Sequence, residues 1–466
     1  MYRLLLIVTA AAVFALPGVY TVATNAATTP ATPAATHTPM AAPGVETGTG
    51  AVAYAGSREA SPSPSPVDSE APVTIATGVD DLWHRSDVVV HFIATDPGSG
   101  IAHTLFKVDD GAWTNGTRVE VRALKNHAND GAHIISFYSV DNAQNVEAEQ
   151  RVTVKIDTTP PGFTWRGVSP SIVTSVRSVN FQFTVTETTG AVSITGVMTD
   201  QYGYRASALA AVSRDPGARQ VTMLPRHADH QAFTPGLYRL TLTLTDAAGN
   251  VTVTSAKSFR DYQPGSAKVY YHLPAAGKRV ALSFDDGGDN AAWASMLSTL
   301  KRYGAHATFF PVGPEVDPAL ARRTVAYGDA LGSHGWTHTE MTRQSYAQVL
   351  HEWVSSEAPW WSAAGVSPVP YCRPPYGSHN ATTAAAAGAA GFTRIILWDV
   401  DPQDWASPGS GVIAQRVLSH LHPGAIVCMH IRAQTAQALP AILSGMRARG
   451  YKCVSLPELF RAAGYR

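Results

Sequence analysis

Two hydrophobic rhythms divide the chain. Between residues 71 and 262 apolar and polar side chains alternate with a period of two, the signature of strands with one buried face. Val88-Val-Val-His-Phe-Ile-Ala-Thr-Asp96 and Val179-Asn-Phe-Gln-Phe-Thr-Val-Thr-Glu187 are matching runs of this kind. A longer repeat overlies them. Gly131-Ala-His-Ile-Ile-Ser-Phe-Tyr-Ser-Val-Asp-Asn-Ala-Gln-Asn-Val146 corresponds to Gly236-Leu-Tyr-Arg-Leu-Thr-Leu-Thr-Leu-Thr-Asp-Ala-Ala-Gly-Asn-Val251, with Gly, Asp, Ala, Asn and Val recurring at an offset of 105. In each copy a strand ends at Asp-x-Ala-x-Asn, which turns the chain into another strand. Asp157-Thr-Thr-Pro-Pro161 separates the copies, because consecutive prolines cannot continue a ladder. The pattern predicts two all-β sandwiches, residues 71–159 and 160–264.

After residue 265 the rhythm changes. Lys278 to Phe284 is a short apolar strand. Asn290 to Tyr303 places Trp293, Met296, Leu297 and Leu300 on one helical face. Strands are predicted at 307–312, 393–398, 425–429 and 452–455, with a helix over 411–421. Such alternation builds a parallel sheet with covering helices. The length of residues 265–466 suits a small or incomplete α/β barrel.

The flanking sequence sets the context. Arg3 precedes an apolar run from Leu4 to Val22, and small residues follow at 23–27. Residues 1–27 read as an export signal, or as a membrane anchor if they are not cleaved. Residues 28–70, rich in Thr, Ala, Pro, Ser and Gly, read as a disordered spacer. Acidic and basic residues balance at 35 each, which gives no concentrated basic surface for nucleic acid. Of the three cysteines, Cys428 and Cys453 lie in predicted core strands. They form either a disulfide pair or, with Cys372, a set of buried thiols.

Candidate chemistry falls at the C-terminal ends of the predicted strands, where barrel active sites gather. Asp285-Asp286 ends the first strand, and adjacent carboxylates need a counter-charge. His334 and His338, spaced i and i+4, are expected on one face of a helical turn with Ser333 as its cap. One Asp and two His form a three-ligand set with an open position, suited to Zn²⁺ and also to Co²⁺, Ni²⁺ or Mn²⁺. The other carboxylate is then placed to take a proton from water. His430 is the candidate general acid. Asp404 is its preferred orienting partner, ahead of Asp401 and Asp399. Arg373 is placed to pair with a catalytic carboxylate, and the Pro374-Pro375-Tyr376 loop to present a backbone N–H to an oxyanion. Each motif alone also reads as an ordinary solvated loop; their combination carries the argument.

Five motifs stand in order: Ser283-Phe-Asp-Asp-Gly, Ser333-His-Gly-Trp-Thr-His, Arg373-Pro-Pro-Tyr-Gly, Asp401-Pro-Gln-Asp-Trp and Cys428-Met-His. With these, residues 273–466 resemble the polysaccharide deacetylases, the NodB-like carbohydrate esterases of family four. The resemblance implies a distorted (β/α) barrel of the NodB type. It implies Asp285 as base, with Asp286, His334 and His338 as metal ligands. Arg373 would brace the base, Tyr376 would lend its backbone N–H, and Asp404 would support His430. Trp405, with Pro375, would line the acetyl pocket. Cys428 stands where the family usually has Leu, and Ser283 where Thr is common. The β-regions resemble bacterial immunoglobulin-like modules, read as spacers or as glycan binders, with Trp83, Trp113 and Trp165 as candidate stacking residues. The resulting expectation is a secreted or cell-surface N-deacetylase of peptidoglycan or chitin-type glycans, associated with the cell wall through its β-regions. An acetyl-xylan O-esterase and a surface adhesin are the alternatives.

Overall fold

The computed structural model describes residues 67–174, 177–226, 232–262 and 264–465. The export segment and most of the spacer lie outside these residues. Among the described residues no helix is long and apolar enough to cross a membrane.

The N-terminal half is mostly β. Val73–Thr77, Val88–Thr95 and Arg118–Val121 form one antiparallel sheet. A second sheet is built around Gly131–Asp141, paired with Ile101–Val108 and Gln150–Ile156. Val88, Val90 and Phe92 from the first meet Ile135, Phe137, Val154 and Ile156 from the second in one core. The arrangement recurs between Gly162 and Asp261, where Phe181 and Phe183 face Ile194, Leu240 and Leu242. The repeated Asp and Asn have a structural role. Asp141 accepts the backbone and side-chain N–H groups of Asn145, both at 2.8 Å. Asp246 receives the same pair from Asn250 at 2.9 and 3.0 Å. Of the three candidate tryptophans, Trp165 packs against the second core and donates to Ser255 O at 2.8 Å. Trp113 remains exposed, with the Lys107 ammonium 4.9 Å from its ring centroid.

Polar contacts dock the second β-region on the C-terminal half of the chain. Gln201 exchanges hydrogen bonds with the backbone of Ser367 in both directions. Arg461 pairs with Asp200, and Arg260 with Glu357.

From Lys268 onward, short parallel strands join edge to edge. Arg279–Asp286 pairs with Thr308–Pro311 on one side and Ile426–His430 on the other. Thr308–Pro311 continues to Ala330–Leu331, and Tyr371–Cys372 pairs with Arg394–Ile396. Single bridges, Ser333 to Cys372 and Val400 to Val427, link these two groups of strands. Helices α1 (Asn290–Tyr303), α2 (Pro318–Ala326), α3 (Tyr346–Pro359), α4 (Ala381–Ala389), α5 (Ser410–Ser419), α6 (Ala433–Ala448) and α7 (Leu456–Ala462) lie between or after the strands. Strand alternation sorts the first strand: Val280, Leu282 and Phe284 pack with the α1 residues Trp293, Met296, Leu297 and Leu300. Ala281, Ser283 and Asp285 take the opposite face.

A Cys428–Cys453 disulfide is not formed, and all three cysteines are free. Their strands flank Arg279–Asp286 on opposite sides. Two strand spacings and a three-residue offset along the central strand put them more than about 10 Å apart, beyond the reach of a disulfide.

Candidate active site

The parallel strands deliver their C-terminal ends to one mouth. Asp285, Asp286, His334, His338, Tyr376, Trp405 and His430 line a cavity of about 460 Å³ there. Arg373 lies behind its wall, fully buried.

The two neighbouring carboxylates occupy different environments. Asp285 is on the inner face of its strand and is 2% exposed. Its Oδ1 accepts from Arg373 Nη1 at 2.7 Å. That guanidinium also donates to Ser283 Oγ at 2.9 Å and to Ile396 O at 2.8 Å. Phe310 and Trp398 flank it, with ring centroids 4.6 and 5.5 Å away. Arg373 is thereby fixed by strands on three sides. Cys428 Sγ lies 3.4 Å from Asp285 Oδ2.

Asp286 would face the helices if the strand continued. Its backbone instead turns left-handed, with φ 76°. Oδ1 then comes to 3.2 Å from His338 Nε2 and 3.7 Å from His334 Nε2. Burial opposes the charge on Asp286, but the facing His338, His334 and His430 imidazoles outweigh it and hold its pKa at about 2.

His334 and His338 meet without a helix. Residues 332–340 run as a loop, and Ser333 forms a strand bridge rather than a cap. Gly335 adopts φ 80° between them, and His338 itself has φ 56°. A left-handed turn takes the place of the expected helical i, i+4 geometry. His334 Nδ1 lies 2.8 Å from the Arg373 carbonyl. A carbonyl only accepts, so Nδ1 carries the proton and Nε2 offers its lone pair toward Asp286. Burial pushes the His334 pKa below its ordinary value, which keeps the ring neutral.

These three residues fit a divalent ion. Their donor atoms lie within 4.8 Å of one another. Asp286 Oδ1 is buried without a hydrogen-bond partner, as an atom awaiting a ligand would be.

Across the cavity, His430 Nδ1 bonds Asp404 Oδ1 at 2.7 Å. Asp404 is fully buried, and its Oδ2 accepts from His430 N at 2.8 Å and Thr435 Oγ1 at 2.6 Å. Burial works against a charged His430, yet the Asp404 bond and the nearby carboxylates leave its pKa raised. The other candidate partners are engaged elsewhere. Asp401 caps Gln403 N at 2.7 Å, and Asp399 contacts His272 and His422. Pro375 is buried beneath Tyr376, which is 68% exposed, has φ 60° and sets its ring 4.9 Å from His338. Trp405 sits on a turn flanked by left-handed Gln403 and Ser407.

Two contributors escaped sequence reasoning. Arg432 lines the cavity 3.8 Å from Asp286 Oδ2. Glu352, on α3, accepts from Trp336 N and Thr337 N, both at 2.8 Å, and so clamps the loop between the histidines. In sequence it was one more polar residue on an amphipathic helix. Glu352→Ala is expected to reduce metal affinity ten- to a hundredfold and stability by about 1–3 kcal/mol, read by metal titration and denaturant unfolding. Unchanged metal affinity would remove Glu352 from the site.

The profile of the polysaccharide deacetylase family matches residues 272–395. The chain is 35% identical over 227 residues to the peptidoglycan-N-acetylglucosamine deacetylase of Listeria monocytogenes, an alignment covering 48% of this chain and 46% of that protein. It is 33% identical over 199 residues to the chitooligosaccharide deacetylase of a Bradyrhizobium strain, covering 39% of this chain and 90% of that protein. It is 32% identical over 185 residues to the peptidoglycan-N-acetylmuramic acid deacetylase of Bacillus subtilis, covering 39% and 38%. The chain thus spans less than half the length of the Listeria relative.

Proposed function

Because the chain belongs to the polysaccharide deacetylase family, we propose that residues 265–466 are a metal-dependent hydrolase removing N-acetyl groups from a polysaccharide. The observation that carries this reading is the separation of two adjacent carboxylates. Asp285 is clamped by a buried arginine, and Asp286 faces two imidazoles. Peptidoglycan N-acetylglucosamine is the leading substrate and chitin-type oligomers the next, in keeping with the names of the relatives.

Asp286, His334 and His338 would hold the ion, Zn²⁺ by preference for an imidazole pair, with Co²⁺, Ni²⁺ or Mn²⁺ as substitutes. The chemistry such an ion supplies is water activation and polarisation of the acetyl carbonyl. Asp285 takes the proton of the attacking water. Arg373 occupies its Oδ1, so Oδ2 is the accepting oxygen. His430 then protonates the departing amine from Nε2, since Nδ1 is committed to Asp404. The backbone N–H of Tyr376 steadies the oxyanion, and Trp405 with Pro375 walls the acetyl group.

As the general acid, His430 must be protonated, so activity is lost as pH rises through its raised pKa. Asp404→Asn removes the carboxylate charge that helps raise it. The alkaline limb of kcat is expected to move to lower pH, with kcat reduced about 10²- to 10⁴-fold. An unmoved limb would assign the acid elsewhere.

We read the β-regions as immunoglobulin-like sandwiches that carry the enzyme at a cell wall, and the linked parallel strands as a distorted NodB-type barrel. Export, with cleavage or retention of the N-terminal segment, belongs to the same reading. The deciding experiment is acetate release with added Zn²⁺ from N-acetylglucosamine oligomers and from acetyl-xylan. Release from the amide substrate supports the proposal. Release from the ester alone would replace it with an O-esterase.

A further inference from the structure

The cavity holds one permanently charged cation that the proposed mechanism does not use. Among the described residues lining it, Arg432 is the sole arginine or lysine. It follows His430 by two residues and forms the N-cap of α6 in extended conformation. Its backbone is fixed, because Arg432 O accepts from Ala436 N at 3.0 Å. The side chain is 46% exposed, and the carboxylate beside its guanidinium, Asp286 Oδ2 at 3.8 Å, lies beyond hydrogen-bond distance. A guanidinium carries five donors in a planar fork, and here they face the cavity without a hydrogen-bonding partner among the described residues.

The rest of the mouth is suited to a sugar. Trp398, Trp405 and Tyr376 offer aromatic surface, and Asp401 adds negative charge. The geometry points to Arg432 as a specificity-determining residue, which selects acetylated glycans with a carboxylate on the reacting sugar or its immediate neighbour. A carboxylate matches the planar fork and brings one charge. A doubly charged phosphate would meet stronger repulsion from Asp285, Asp286 and Asp401. The position close to Asp286 limits how far the acidic group can sit from the acetyl group under attack. This inference rests on the deacetylase reading, and it names the class of substrate within it.

The test uses one N-acetylglucosaminyl–N-acetylmuramic acid oligosaccharide in two forms, free acid and methyl ester, with a neutral N-acetylglucosamine oligomer as reference. The full chain is expected to favour the free acid about tenfold in kcat/KM, mostly through KM, and less so at high salt. Arg432→Lys should keep part of the preference, and Arg432→Glu should reverse it. A ratio near one in the parent, or a ratio unchanged by Arg432→Glu, overturns the assignment. If the neutral oligomer still releases acetate in that case, the deacetylase reading stands and only the role of Arg432 falls. If no substrate releases acetate, the deacetylase reading falls. Titration of metal-free protein with the two forms then decides separately. Tighter binding of the acid, lost in Arg432→Glu, keeps the anion site, and equal binding ends it.

Discussion

Replacing Arg373 with alanine is expected to lower kcat at least 10³-fold and stability by about 3–5 kcal/mol. The reason is the buried charge that the substitution strands. Asp285 is 2% exposed, and its Oδ1 has the guanidinium as its partner at 2.7 Å. Without Arg373 the buried carboxylate must stay charged without compensation or take up a proton, and a protonated Asp285 cannot serve as base. The Ile396 carbonyl and Ser283 hydroxyl lose a donor, and the space between Phe310 and Trp398 is left unfilled. Arg373→Lys restores a charge but not the fork, so partial recovery of stability without recovery of kcat is expected. Acetate release and denaturant unfolding measure the two effects. A variant with parental activity would show that Asp285 does not depend on its brace.

His334→Ala should lose metal and activity together. His334 is held in one tautomer by the Arg373 carbonyl and is kept neutral by burial. It is therefore a preorganised donor, and its removal leaves two half-buried ligands, Asp286 and His338. Metal affinity is expected to fall more than a hundredfold, exceeding the loss typical of a supporting residue. Activity should fall about 10³-fold or more, equivalent to roughly 4 kcal/mol of transition-state stabilisation. Metal content by mass spectrometry and acetate release give the readouts. Full activity in a metal-free variant would refute the mechanism.

Much of this site was legible because strand periodicity and strand ends are local properties. The α1 face of Trp293, Met296, Leu297 and Leu300 appears as predicted, and helix 411–421 appears as 410–419. The pairing of Arg373 with Asp285, and of Asp404 with His430, follows from residues at the ends of parallel strands. What failed was inference from spacing alone. His334 and His338 at i and i+4 suggested a helix, yet Gly335 and a left-handed His338 build the same convergence in a loop. The two cysteines in core strands left a disulfide and buried thiols both open, and strand order decides for free thiols. Glu352 and Arg432 were illegible for a related reason. Each matters through partners far away in sequence, and neither has a neighbour that marks it.

The left-handed residues have a consequence for how this chain can change. Among the described residues after 265, the non-glycine positions with positive φ are Asp286, His338, Tyr376, Gln403 and Ser407. All five are site residues or flank Asp404 and Trp405. Such a backbone costs an ordinary side chain on the order of 1–2 kcal/mol. Glycine at these places would relax the chain, yet at the first three it would erase a ligand or a wall of the cavity. Heat resistance and turnover therefore pull those three codons in opposite directions. A lineage or laboratory selected for endurance alone would drift toward a sturdier protein with an emptied mouth.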